Sequence, residues 1–279
     1  GYQFNITYLY RHQIGNNVYT LELGLMDISE EEVVNELVPI VESYLNETLE
    51  IVSLKDSMHH LGYTSLVLKH QQNYSLQYGF QQYALEPLNC GDSFSAFHQD
   101  NLHYLALSDG MGQGKMAANE SKLTLEVLSK LILNGIGLKD TIDSINALLK
   151  IKNRNDMFTT LDLCNINLAN ARMKLIKYGA NPSYHIRSGM VEKIATNSLP
   201  VGVVSKLKMV SYEMPLKNND LIIMSSDGTG NDFEQIVNDN VHLYCDQHPQ
   251  EIATFLMDQV LEKNNLDDIS IIVIKVVNN

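Results

Sequence analysis

Cysteine is scarce in this chain of 279 residues: Cys90, Cys164 and Cys245 are its three, far apart and without a Cys-x-x-Cys spacing. Neither a disulfide framework nor a structural zinc site follows from that pattern, which fits a reducing compartment. Basic residues are also few. Lys and Arg number 20 against 33 Asp and Glu, for a formal net charge of −13. Nucleic-acid phosphates call for clustered Lys and Arg, and no such cluster is found, which argues against a nucleic-acid partner. The same acid excess disfavours an anionic membrane surface, while it suits solubility and cation binding. No apolar run approaches the roughly 20 residues of a membrane-spanning helix. A phosphate-cradling P-loop and a signal peptide are also missing, so the four Asn-x-Ser/Thr sequons at Asn5, Asn46, Asn73 and Asn119 read as chance. The expected location is cytoplasmic, with no membrane contact from the chain itself. Its opening on Gly1 in a strand-like context reads as the start of a fragment, and a membrane-anchored parent stays open.

With 44% hydrophobic residues, the chain can bury a sizeable core as one large domain, or as one domain with a smaller attachment. Residues 1–74 read as the attachment, a β-α-β segment. Val18 to Met26 alternates as a strand, Ser29-Glu30-Glu31-Glu32 is a capping box, and Val33, Val34, Leu37, Ile40, Val41, Tyr44 and Leu45 recur at helical spacing. A strand over Leu49 to Leu54 follows, and Ser53 to Gly62, with His59-His60, reads as a surface connection. Residues 75–279 carry strands, a helix pair (about Lys115 to Asn134 and Lys139 to Leu149), more strands, a late helix opened by Pro249, and an apolar final strand, Ile269 to Val277. That order indicates an α+β layered protein, two sheets covered by helices.

What stands out most is a repeated phrase. Ser108-Asp109-Gly110-Met111-Gly112 and Ser226-Asp227-Gly228-Thr229-Gly230 each end a hydrophobic strand, and they hold the only two Asp-Gly pairs in the chain. A buried strand that stops on aspartate sets a carboxylate at the rim of a sheet, and the glycine lets backbone approach closely. Each pair alone reads more simply as a turn. Together with Gly91-Asp92 and Asp267-Asp268 they read as a cage for hard divalent cations, which prefer oxygen ligands. Two such ions roughly 3.5–4 Å apart lower the pKa of a shared water and neutralise a phosphate under attack. Cys90, beside this rim, reads as a small buried residue.

These residues carry a resemblance. Gly91-Asp92-Ser93-Phe94-Ser95, Ser108 to Ser121, Met157 to Asp162, Gly179-Ala180-Asn181-Pro182-Ser183, Leu199-Pro200-Val201-Gly202, Asp220 to Gly228 and Asp267-Asp268-Ile269-Ser270 resemble the PPM (type 2C) serine/threonine protein phosphatases. Within them the chain is most similar to the bacterial branch named for stage II sporulation protein E. The resemblance spans about residues 75 to 277 in the expected order. It implies a PPM-type β-sandwich flanked by helices in α-β-β-α layers, with two Mn²⁺ or Mg²⁺ ions at one end. It assigns their ligation to Asp92, Asp109, the Gly110 carbonyl, Asp227 and Asp267, with Asp268 behind them where many relatives have asparagine. The implied reaction is phosphoserine or phosphothreonine hydrolysis by direct attack of metal-bound hydroxide. The substrate implied is a phosphorylated anti-anti-sigma regulator of STAS fold, in sporulation-type sigma-factor signalling, and control by dimerisation in this branch leaves room for a homodimer. Residues 1–74 stand where such members carry a regulatory segment. Met111 occupies the place of a eukaryotic histidine, which leaves the general acid unassigned, and Thr229-Gly230-Asn231-Asp232 departs from the usual pattern. The rival expectation is a pseudo-phosphatase that binds and regulates.

Overall fold

The computed structural model describes residues 4–15, 18–45, 47–56, 63–86, 89–112, 114–152, 158–244, 246–263 and 267–279. His59-His60, Met157 and Cys245 lie outside the described residues. The chain clusters into two compact units, Gly1–Gln72 with Gln99–Asn101, and Asn73–His98 with Leu102–Asn279.

The first unit holds β1 (Asn5–Gly15), β2 (Val18–Met26), α1 (Glu30–Glu32), a π-helical turn (Val33–Leu37), α2 (Val38–Leu45), β3 (Leu49–Asp56) and β4 (Tyr63–His70). Its sheet order is β1-β2-β4-β3, with every neighbouring pair antiparallel. The capping box forms as read. Ser29 Oγ accepts from Glu32 N–H at 3.2 Å, and the Glu32 carboxylate accepts from Ser29 N–H at 2.8 Å. Leu21, Leu23 and Leu25 of β2 and Leu66 and Leu68 of β4 pack against Val33, Leu37 and Val38 of the helical segment. The β-α-β unit is present, with β2 and β3 parallel across the helix, and two further strands join it: β4 is inserted between them and β1 is added outside. The residues of β1 are mostly exposed, so they carry no alternation to read.

The second unit is a sandwich. Its strands are β5 (Tyr74–Tyr83), β6 (Asp92–Gln99), β7 (Leu102–Asp109), β8 (Leu161–Asn167), β9 (Arg172–Tyr178), β10 (Ser183–Arg187), β11 (Met190–Ile194), β12 (Ser211–Pro215), β13 (Leu221–Ser225) and β14 (Ile269–Asn278). Its helices are α3 (Lys115–Leu133), α4 (Leu138–Lys152), α5 (Phe233–Asp239) and α6 (Pro249–Leu261). One sheet has the order β11-β10-β13-β14-β5 and the other β12-β9-β8-β7-β6.

Alternation along β13 and β14 shows how the layers stack. Ile222, Met224, Ile272, Ile274 and Val276 face inward onto Leu105, Leu107, Cys164, Ile166 and Leu175 of the other sheet. Leu221, Ile223, Ile269, Ile271 and Val273 face outward onto Phe233 and Val237 of α5 and Ile252, Leu256 and Val260 of α6. Both faces of β14 are therefore buried, which is why its sequence is an unbroken apolar run. Each such side chain contributes about 1.5–3 kcal/mol by leaving water. α3 and α4 pack on each other, and α3 lies on β7. The layers are α-β-β-α. α6 begins with Pro249 at its first turn under a capping box from His248 and Glu251. α5 was not legible: seven residues are too few to display a helical period.

Candidate metal centre

Strand adjacency gathers the aspartates. β6 and β7 are sheet neighbours joined by a short turn, so Asp92, at the start of one, shares a sheet edge with Asp109, at the end of the other. β13 and β14 are antiparallel, with Ser225 opposite Ile271, so Asp227 follows one strand where Asp267 and Asp268 lead into the next. Asp268 ties the two edges together. Its Oδ2 accepts from Gly91 N–H at 2.6 Å and its Oδ1 from Leu85 N–H at 2.8 Å. Gly110 N–H in turn donates to the Gly91 carbonyl at 3.2 Å.

Two threonines hold Asp109 by its backbone. Thr160 Oγ1 accepts from Asp109 N–H at 2.9 Å, and Thr159 Oγ1 donates to the Asp109 carbonyl at 2.7 Å. Thr160 N–H donates to that same carbonyl at 2.8 Å. Ser108 Oγ adds a bond to the Thr160 carbonyl at 2.7 Å. On the other side Thr159 pairs with Val201 through both backbone groups. The segments containing Thr159 and Val201 thus act as a brace behind Asp109. A comparable brace serves Asp227. Asn181 Nδ2 donates to the Ser226 carbonyl at 3.0 Å and to Thr229 Oγ1 at 3.3 Å.

Both Asp-Gly glycines sit where backbone approaches backbone. A Cβ at Gly110 would stand 2.1 Å from the Ala117 carbonyl oxygen, and one at Gly228 would stand 2.0 Å from that of Asp268. Neither distance admits a side chain, so the glycines are fixed by packing against α3 and against the lead into β14.

The electrostatics are those of crowded carboxylates. Asp92 is 4% exposed, and neither of its oxygens has a hydrogen-bond partner. Burial pushes it up to about 7; the nearby Ser226 and Ser270 hydroxyls temper the rise, while Asp268 and Asp227 add to it. Burial likewise raises Asp109 to about 8, with the charges of Asp92, Asp227 and Asp267 contributing. Asp227 is raised by burial and then by Asp267. Among the described residues, no three His, Cys, Asp or Glu side chains converge into a finished ligand set. What the structure shows is a group of mutually repelling carboxylates, one buried and without a formed hydrogen bond. Such an arrangement is costly unless a cation compensates it, so the donor set fits hard divalent ions.

The predicted residues divide by role. Asp109 lies within electrostatic reach of Asp92, Asp227 and Asp267, and Asp267, itself exposed, accepts from Asp268 N–H at 2.9 Å. Both Asp268 oxygens are engaged by backbone donors, which suits a brace better than a ligand. The Cys90 thiol is pushed up to about 12, first by burial, so it stays protonated at neutral pH. Thr159, Thr160 and Asn181 went unread as site residues, because their hydroxyl and amide contacts span about 45 to 51 residues of sequence.

Two packed antiparallel sheets between helical layers, with paired acidic edges at one end, define a PP2C-type serine/threonine phosphatase domain. The chain superimposes on the PP2C phosphatase domain with a fragment of the regulatory domain of the cell fate determinant SpoIIE from Bacillus subtilis, with a TM-score of 0.81. That match has 27% identity and covers 99% of this chain and 83% of the other. The chain belongs to the stage II sporulation protein E family, whose model matches residues 99–277. It is 30% identical to stage II sporulation protein E of Bacillus subtilis (strain 168) over 282 residues, and 30% identical to that of Priestia megaterium over 281. Those alignments take in 94% of this chain in both cases, but only 34% and 48% of the relatives' lengths. The catalytic domain of the serine/threonine phosphatase PstP in complex with 2 manganese ions shares the fold, with a TM-score of 0.61 and 20% identity over 74% of this chain and 100% of that one. Among the described residues, no helix is long and apolar enough to cross a membrane.

Proposed function

We propose that the chain is a metal-dependent phosphoserine/phosphothreonine protein phosphatase acting on a phosphorylated STAS-type anti-anti-sigma regulator. One observation carries the reading: a buried Asp92 carboxylate without a formed hydrogen bond, beside Asp109 and Asp227. Asp92, Asp109 and Asp227 would hold two Mn²⁺ or Mg²⁺ ions, with the Gly110 carbonyl and Asp267 completing the set. When bound, the ions supply an activated water and offset the phosphate charge. The protein's part is orientation. Asp268 keeps the backbone of Leu85 and Gly91 in place, Thr159 and Thr160 fix the direction of Asp109, and Asn181 fixes the turn that carries Asp227. Residues 1–74 are read as a regulatory segment, supported by the likeness to a structure described as containing a fragment of a regulatory domain.

The test is phosphate release from a phosphoserine STAS-domain protein, with and without Mn²⁺, in the wild type and in Asp109→Asn. Turnover that requires Mn²⁺ and collapses in the variant is the expected result. Absence of both turnover and calorimetric Mn²⁺ binding would favour a binding and regulatory module instead.

A further inference from the structure

The interior of the sandwich is apolar along most of its depth and ionic at one end. The period-2 alternation of β8 and β9 turns Asp162 and Lys177 to the same face as Cys164, Ile166, Met173 and Leu175, the face packed on the second sheet. The two residues are opposite each other across the strands. Their side chains are in contact and only 1% and 0% exposed. Ser183 Oγ, from β10, also donates to Asp162 Oδ2 at 3.2 Å. A buried ion pair is a weak source of stability, since apolar residues of similar volume often do as well or better. Its position invites another explanation.

Lys177 reaches beyond its partner. Its Nζ donates to the Asn181 carbonyl at 2.7 Å, and Asn181 in turn bonds Ser226 and Thr229, one on each side of Asp227-Gly228. An ionic anchor in one sheet is thereby connected to an aspartate turn on the other. We propose that Lys177, set by Asp162, is a positioning residue: it fixes Asn181, which holds both ends of the Asp227 turn at the spacing that metal binding requires. This rests on the reading of Asp227 as a metal ligand. Neither Lys177 nor Asp162 is among the residues assigned to the metals; they act through Asn181.

The experiment separates positioning from simple stability. The double variant Asp162→Leu/Lys177→Met removes both charges, so its urea midpoint should stay close to the wild type. Its Mn²⁺ affinity, measured by calorimetry on the whole chain, should fall about tenfold or more, the usual cost of losing a residue that orients a ligand. Asn181→Ala, at a half-buried site, should weaken Mn²⁺ by a similar factor, and adding it to the double variant should change little further. Wild-type Mn²⁺ affinity in the double variant, or in Asn181→Ala, overturns the proposal. Should the double variant fail to fold, Asn181→Ala decides by the same criterion. Asp227→Asn tests the underlying assignment. Undiminished Mn²⁺ binding there overturns both readings, whereas loss there with unchanged affinity in the other variants overturns the positioning role alone.

Discussion

The two Ser-Asp-Gly turns are spelled alike and built differently. At the first, Asp109 is the last residue of β7, and Gly110 continues with an isolated bridge to Thr159. At the second, β13 has already ended, and Asp227 opens a short 3₁₀ turn. The first aspartate is held by hydroxyls from the segment leading into β8, the second by an amide from the β9–β10 connection. What they share is the reason for the glycine, a carbonyl oxygen about where a Cβ would go. A common string thus specifies a tight approach and a carboxylate, while the neighbours decide the backbone path.

That comparison breaks most directly at the carboxylates. Asp109→Asn and Asp227→Asn should each lower Mn²⁺-dependent phosphate release by at least about a hundredfold, since each removes an assigned ligand rather than a residue behind one. Near-wild-type turnover in either would make that turn structural only. Ile272→Ala, between the sheets and far from both turns in kind, should cost about 2–5 kcal/mol in urea unfolding and leave Mn²⁺ affinity unchanged. Gly110→Ala and Gly228→Ala should each cost about 1–3 kcal/mol or more through overpacking; if only one does so, the shared explanation for the glycines fails. Thr160→Val strips the acceptor from Asp109 N–H, for about 1–3 kcal/mol of stability. Its Mn²⁺ affinity should drop about tenfold, testing whether the first brace matters as the second does.

The smallest effect concerns pH, away from both turns. Burial pushes Asp220 up, but hydrogen bonds from His185, Arg187 and Lys217 N–H outweigh it and hold the carboxyl down at about 2. A depressed folded value means that the unfolded chain takes up the proton first on acidification. The stabilisation is therefore present above pH about 4 and lost as pH falls toward 2. Urea midpoints between pH 5 and 2 should decline less steeply in Asp220→Asn than in the wild type.

Much of this was legible because it is local. The Ile269 run, Pro249 and the Ser29–Glu32 box announce a buried strand and two helix starts within a few residues each, and the aspartates announce themselves by following strands. The rest depends on partners distant in sequence. Nothing near Thr160 says that it will meet Asp109, and Lys177 in isolation reads as an ordinary strand lysine. β1 offered no hydrophobic rhythm because its side chains are largely outside the core. Asp268 reads from sequence as standing behind the expected metal ligands, while its two backbone bonds, to Leu85 and Gly91, depend on partners more than 170 residues away.

The pairing of β14 has a consequence for how the molecule comes to exist. Ile269–Asn278 lies between β13 and β5, aligned along its whole length with Tyr74–Tyr83, so the first and last strands of the sandwich are neighbours. A growing polypeptide releases β5 long before its mate emerges, and the intervening loop must close before that pairing returns any energy. Throughout that interval β5 is an unsatisfied edge, open to wrong partners. Asp267 and Asp268 arrive with the closing strand. Completion of the sheet and assembly of the acidic rim are thus coupled, and removing the segment from Asp267 onward abolishes both.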